Sequence, residues 1–164
     1  VPYYSMSEED LELEEFNKLG EQASQGCVRL AVSDAKWVYD NCPTGPNVSI
    51  YDDAENAGPL GKPDAIKITD FTNKWDPTDS NKKCPYAKAT PTISGANDYT
   101  IKSGGEFYAL AGVTAVDTCG NDITSNIEVF GNVVTTRKGK YKVTYSVTDV
   151  LKRTSSVTIT VTVA

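Results

Sequence analysis

The sequence predicts a mainly β protein: a mixed α+β segment with one or two short helices, then a two-sheet sandwich. Three observations carry that expectation. Tyr141, Val143, Tyr145 and Val147 alternate with Lys142, Thr144, Ser146 and Thr148, and Val157, Ile159, Val161 and Val163 alternate with Thr158, Thr160 and Thr162. A period of two with one apolar face marks a strand half-buried in a sheet. Gly95, Gly104-Gly105, Gly112, Gly120-Asn121, Gly131-Asn132 and Gly139 punctuate the same stretch at the intervals of short sandwich strands. The texture also changes near residue 90, after a stretch of proline turns, which divides the chain into segments 1–86 and 90–164.

The first segment opens on the acidic run Ser7 to Glu15, where Leu11, Leu13 and Phe16 give weak amphipathicity; it reads as a solvated face rather than a cation site. Ser33 reads as an N-cap, with Asp34 in the first turn of a helix through Trp37, Val38 and Tyr39 that Pro43 and Gly45 stop. Val48, Ile50 and Tyr51 follow as a short strand, and Ala65-Ile66-Lys67-Ile68 as another. Gly58-Pro59, Gly61-Lys62-Pro63 and Asp76-Pro77 are turn signals between and after them. Trp75 is expected as a packing anchor ahead of a sugar-stacking platform, because large aromatics are usually buried. Residues 82–89 read as a linker into the sandwich. There Asp117, Asp122 and Asp149 are expected to form turns ahead of ligating calcium.

Composition excludes several classes. With 164 residues and a formal net charge of −6, the chain lacks the clustered Lys and Arg that a nucleic-acid groove needs. No apolar run approaches the length of a membrane span, and no basic-then-apolar start reads as a signal peptide. Cys27, Cys42, Cys84 and Cys119 allow three full disulfide pairings that spacing does not rank. Their scatter, and the absence of histidine, argue against a zinc site, so neither metal nor cofactor is expected.

Ser24-Gln25-Gly26-Cys27-Val28-Arg29-Leu30 is the informative motif. A glycine before a cysteine lets the backbone approach a substrate closely, and a neighbouring arginine supplies a fixed cation for a carboxylate or an oxyanion. On that reading Cys27, Gly26 and Arg29 carry chemistry while Ser24 and Gln25 contact substrate. The bland alternatives are a buried, inert Cys27 and an Arg29 paired with the acidic run.

Two resemblances extend these readings. Pro91-Thr92-Ile93-Ser94-Gly95-Ala96, Tyr99-Thr100-Ile101, Leu110-Ala111-Gly112-Val113-Thr114-Ala115-Val116-Asp117, Gly120-Asn121-Asp122-Ile123-Thr124 and Lys140-Tyr141-Lys142-Val143-Thr144-Tyr145-Ser146-Val147-Thr148-Asp149 resemble the bacterial immunoglobulin-like modules of surface and secreted proteins. That resemblance implies a spacer or adhesion role. Lys18-Leu19-Gly20, Ala23 to Leu30, Asp34 to Gly45, Val48-Ser49-Ile50-Tyr51 and Gly58-Pro59-Leu60-Gly61-Lys62-Pro63, in that order, resemble the C-terminal part of an L,D-transpeptidase catalytic domain of the YkuD type.

The second resemblance implies acyl transfer between peptidoglycan stem peptides, with Cys27 as the nucleophile, the Gly26-Cys27 backbone holding the oxyanion and Arg29 orienting the site. It implies residence in the bacterial cell envelope. It also implies a histidine before the glycine, where Gln25 stands, and a histidine base upstream of the nucleophile, beyond the segment beginning at Val1. The early strands of the domain are then expected to be missing. Strand edges left unpaired by that loss imply self-association. The alternative is a non-catalytic surface binding or spacer protein built on the sandwich.

Overall fold

A computed structural model describes every residue except 1, 2, 4, 6, 8, 52, 54, 56–60 and 62. The expected turn at Gly58-Pro59, the closing tail through Leu60 and Lys62, and parts of the acidic N-terminal run lie outside the described residues. The chain divides into two compact units, Val1–Ala87 and Lys88–Ala164.

The second unit is an antiparallel hairpin with short strands around it. Strands β5 (Gly139–Thr148) and β6 (Thr154–Val163) pair along their full length. β4 (Glu128–Phe130) joins antiparallel on one side and β2 (Tyr99–Ile101) parallel on the other, giving the order β2-β6-β5-β4. β1 (Thr92–Ser94) and β3 (Thr114–Val116) form a second, two-stranded sheet. The alternation seen in sequence sets the core: Val143, Tyr145, Val147, Ile159 and Val161 are buried with Val113, Ala115 and Ile127, and Ile93 packs against them. The threonines between face outward and pair across the strands, Thr144 with Thr158 and Thr148 with Thr154. Gly131 sits at φ +110°, and a Cβ there would lie 2.3 Å from the Lys142 carbonyl oxygen, so glycine is required beside β5.

The aspartates of this unit build turns. Asp117 accepts from the Cys119 and Asn121 amides, both at 2.8 Å, and Asp122 from the Thr124 amide at 2.8 Å. Asp149 accepts from the Arg153 amide at 2.8 Å and from its guanidinium at 3.0 Å, closing the β5–β6 hairpin. Local side-chain acceptors of this kind replace water for amides that a tight turn would orphan.

The first unit has no named strand among its described residues, only an isolated bridge between Tyr3 and Leu11. Helix α1 (Leu13–Phe16) is short, and α2 (Val32–Asn41) runs ten residues without burying any of them. The Ser33 cap is corrected: Ala31 occupies the N-cap and has no capping side chain. Instead, the Val32 amide donates to Asp76 Oδ2 at 2.8 Å and the Ser33 amide to Thr78 Oγ1 at 3.1 Å. The orphan donors of the helix are met by a distant loop.

The strand expected at Val48–Tyr51 is absent, and all three of Val48, Ile50 and Tyr51 are exposed. The strand expected at Ala65–Ile68 is absent too. Here the Asn17 side chain stands in for a neighbouring strand: its Nδ2 donates to the Ile68 carbonyl at 2.8 Å, and its Oδ1 accepts from the Ile68 amide at 2.7 Å. Ile68, Leu11, Phe16, Trp75, Cys84 and Tyr86 are buried, so Trp75 is a packing anchor. The boundary between the units falls within the expected linker at 82–89, where Pro85–Lys88 form a 3-10 turn that buries Tyr86.

Candidate active site

A groove of about 230 Å³ in the first unit is lined by Lys18–Ser24, Cys27 and Arg29. Ser24, Cys27 and Arg29 of the motif at residues 24–30 are among its lining residues. Ser24 Oγ donates to the Cys27 carbonyl at 2.5 Å and accepts from the Gly26 amide at 3.2 Å, which ties residues 24–27 into a tight loop. Gly26 takes φ +152°, a conformation that side-chain-bearing residues rarely adopt, with nothing within 4 Å of the position a Cβ would occupy. Cys27 is therefore exposed at the loop tip, not sealed in an apolar interior. Among the described residues nothing accepts a hydrogen bond from its backbone amide. Gln25 is exposed beside it and does not line the groove.

The charge at the groove is arranged around Glu15. Lys18 Nζ lies 2.5 Å from Glu15 Oε1, and Arg29 Nη1 lies 2.7 Å from Glu15 Oε2. The Lys18 hydrogen bond, against some desolvation and with help from Arg29, holds the Glu15 carboxyl below its ordinary value. The same bond raises the Lys18 ammonium. Arg29 thus makes the ion pair with the acidic run that its sequence neighbourhood allowed. Both groove cations are committed to one carboxylate. Glu15 and Lys18 were not singled out as site residues in the sequence; their i, i+3 spacing was the signal that could have found them.

A second hollow of about 370 Å³ shares Leu19, Gly20, Glu21 and Arg29 with the first and extends past Leu30 and Asp34 to Pro63–Lys67. The cysteines differ in character. Cys27 and Cys42 are exposed thiols, whereas Cys84 and Cys119 are buried. Burial, with Asp117 nearby, pushes the Cys119 thiol up to about 11. Among the described residues no group of three or more Cys, Asp or Glu side chains is arranged to hold a metal ion, and no helix is long and apolar enough to cross a membrane.

Comparison with known proteins matches each unit separately. Residues 4–50 match the L,D-transpeptidase catalytic domain, and residues 91–163 match the Ig-like domain of bacterial surface proteins. Each unit is thus similar over part of the chain to a different family, the first to an L,D-transpeptidase catalytic domain and the second to a bacterial surface Ig-like domain. A putative L,D-transpeptidase of Bacillus subtilis, YciB, is 56% identical over 36 residues, which are 22% of this chain and 19% of that protein. The pesticidal crystal protein Cry22Aa of Bacillus thuringiensis is 42% identical over 66 residues, 37% of this chain and 9% of that protein. The chain spans less than a fifth of the length of either relative. Among solved structures, the M60 catalytic domain with the CBM51-1 and CBM51-2 domains of Clostridium perfringens ZmpB aligns at 29% identity with a TM-score of 0.41, covering 45% of this chain and 8% of that one.

Proposed function

We propose that the first unit carries the nucleophile of a peptidoglycan L,D-transpeptidase and that the Ig-like unit spaces it from, or holds it to, the bacterial cell envelope. The supporting observation is an exposed Cys27 on a tight Gly26 loop, facing a groove, within the segment that matches the catalytic domain. The Cys27 sulfur attacks the carbonyl carbon of a stem-peptide amide. Its carbon–nitrogen bond breaks, the departing amine takes a proton, and a thioester forms. An amine of a second stem peptide then attacks the thioester, forming a new amide and returning the thiol. The Cys27 amide, which has no acceptor among the described residues, would donate to the oxyanion, a role that the Ser24 bonds within the loop support.

This chain contains no histidine, and both cations lining the groove are bound to Glu15, so Cys27 has neither an imidazole base nor an uncommitted groove cation beside it. On this reading the base that activates Cys27 is an imidazole supplied from outside these residues. Acylation of Cys27 by a carbapenem, mapped by mass spectrometry with and without added imidazole, tests this. Imidazole is expected to accelerate adduct formation at Cys27 by at least about tenfold, with Cys42 as the exposed control thiol that does not follow. Equal response of both thiols overturns the proposal.

The absence of histidine also favours a second reading, a non-catalytic surface spacer in which Cys27 is a remnant. On either reading, exposed Trp37, Val48, Ile50 and Tyr51 give the first unit a surface for self-association. Light scattering checks this: a mass that rises with concentration supports it, and a monomer at all concentrations refutes it.

A further inference from the structure

The Ig-like unit holds a hollow of about 210 Å³ that its packing does not explain. Its walls are aromatic. Tyr99 and Phe107 stand with ring centroids 5.9 Å apart, tilted at 48°, and Tyr108 lines the same hollow. Tyr99 is 53% and Tyr108 68% exposed, which is costly for rings that serve only as core. Tyr145 forms part of the lining, and its hydroxyl is already used on the Ala109 carbonyl at 2.6 Å, so that wall is fixed. The polar groups at the hollow are Glu106 and Asn97. Glu106 Oε2 accepts from the Tyr108 hydroxyl at 2.6 Å, which orients that ring. Among the described residues no other group bonds the Glu106 carboxylate, so its second oxygen remains an acceptor.

We propose that this hollow binds one pyranose ring of a neutral glycan. The size is below that of a pocket for a drug-sized molecule and suits a single ring of a longer chain. Aromatic faces stack on the C–H face of a pyranose, while a carboxylate and an amide at the edge meet its hydroxyls. A chain of net charge −6 with Glu106 at the hollow repels acidic sugars, which leaves neutral ones. The site is independent of Cys27, so its success or failure leaves the acyl-transfer reading untouched.

The test is a titration of the isotope-labelled full chain with chitotetraose, cellotetraose and mannotetraose, each to about 10 mM, followed by amide chemical shifts. Saturating shifts confined to residues 95–99 and 106–113 are expected with at least one of them. Tyr108→Ala, at an exposed position outside the strands, is expected to weaken binding by at least about tenfold, and Glu106→Gln by less. Phe130→Ala, which removes an exposed aromatic elsewhere in the unit, leaves affinity unchanged. No saturating shift with any of the three glycans, or equal affinity in Tyr108→Ala, overturns the site.

Discussion

The two units reach order by different means. In the second, ten paired residues on each of β5 and β6 bury one face in a continuous apolar core. In the first, a ten-residue helix buries nothing and is attached through the fully buried Asp76, while Asn17 fixes the segment at Ile68. Repetition holds one unit and a few placed polar groups hold the other. Apolar burial is spread over area, so each core side chain contributes with the surface and volume it fills, whereas a buried carboxylate acts through two or three bonds.

Three substitutions probe that contrast, each read by amide exchange resolved by residue. Tyr145→Ala opens a cavity at the centre of the hairpin core and is expected to destabilise the second unit by about 3–5 kcal/mol. A loss under about 1 kcal/mol would mean that the core is not the source of order there. Asp76→Ala removes the acceptor of the Val32 amide and of the Thr78 amide and hydroxyl, and is expected to cost the first unit about 3 kcal/mol, with α2 fraying first. Retained protection in α2 would show that the cap is dispensable. Asn17→Ala removes two bonds to Ile68 and is expected to cost about 2 kcal/mol, seen as faster exchange of the Ile68 amide.

The smallest expected effect is a pH dependence. Burial raises the Asp76 carboxyl above its ordinary 3.8, against the hydrogen bonds from Thr78 and Val32. A raised acid binds more protons folded than unfolded, so its contribution is complete below 3.8 and is lost as pH rises through the raised value. The first unit is therefore expected to lose stability from this group on rising pH across the acid range, and Asp76→Asn to flatten that slope in a thermal-melt series. An unchanged slope in Asp76→Asn would assign it to other carboxylates.

Legibility in the sequence followed the same division. Tyr141 to Val147 and Val157 to Val163 announced their strands because each carries its burial pattern within itself, whereas Gly131 read only as a turn and its close approach to Lys142 shows in the structure alone. Val48, Ile50 and Tyr51 are equally apolar and β-prone but have no partner strand among the described residues, and a strand needs a neighbour for its backbone groups. Ile68 finds its partner in a side-chain amide 51 residues away, which no local pattern records. Ser33 looked like a cap because caps are usually local; the group that serves is 44 residues downstream of Val32. At the candidate site, Gly26-Cys27 was readable because an exposed loop needs little from elsewhere, while Glu15, which ties Lys18 to Arg29, lay within a run of similar residues.

The remote cap has a consequence for biosynthesis. Val32 leaves the ribosome 44 residues ahead of Asp76, a delay of about 2–9 s at ordinary elongation rates. Throughout that interval the nascent helix lacks its anchor, and the Val32 and Ser33 amides have only water to bond. A pause in translation before Asp76 is added would lengthen that uncapped interval, so the yield of correctly docked α2 should depend on how fast the chain is made.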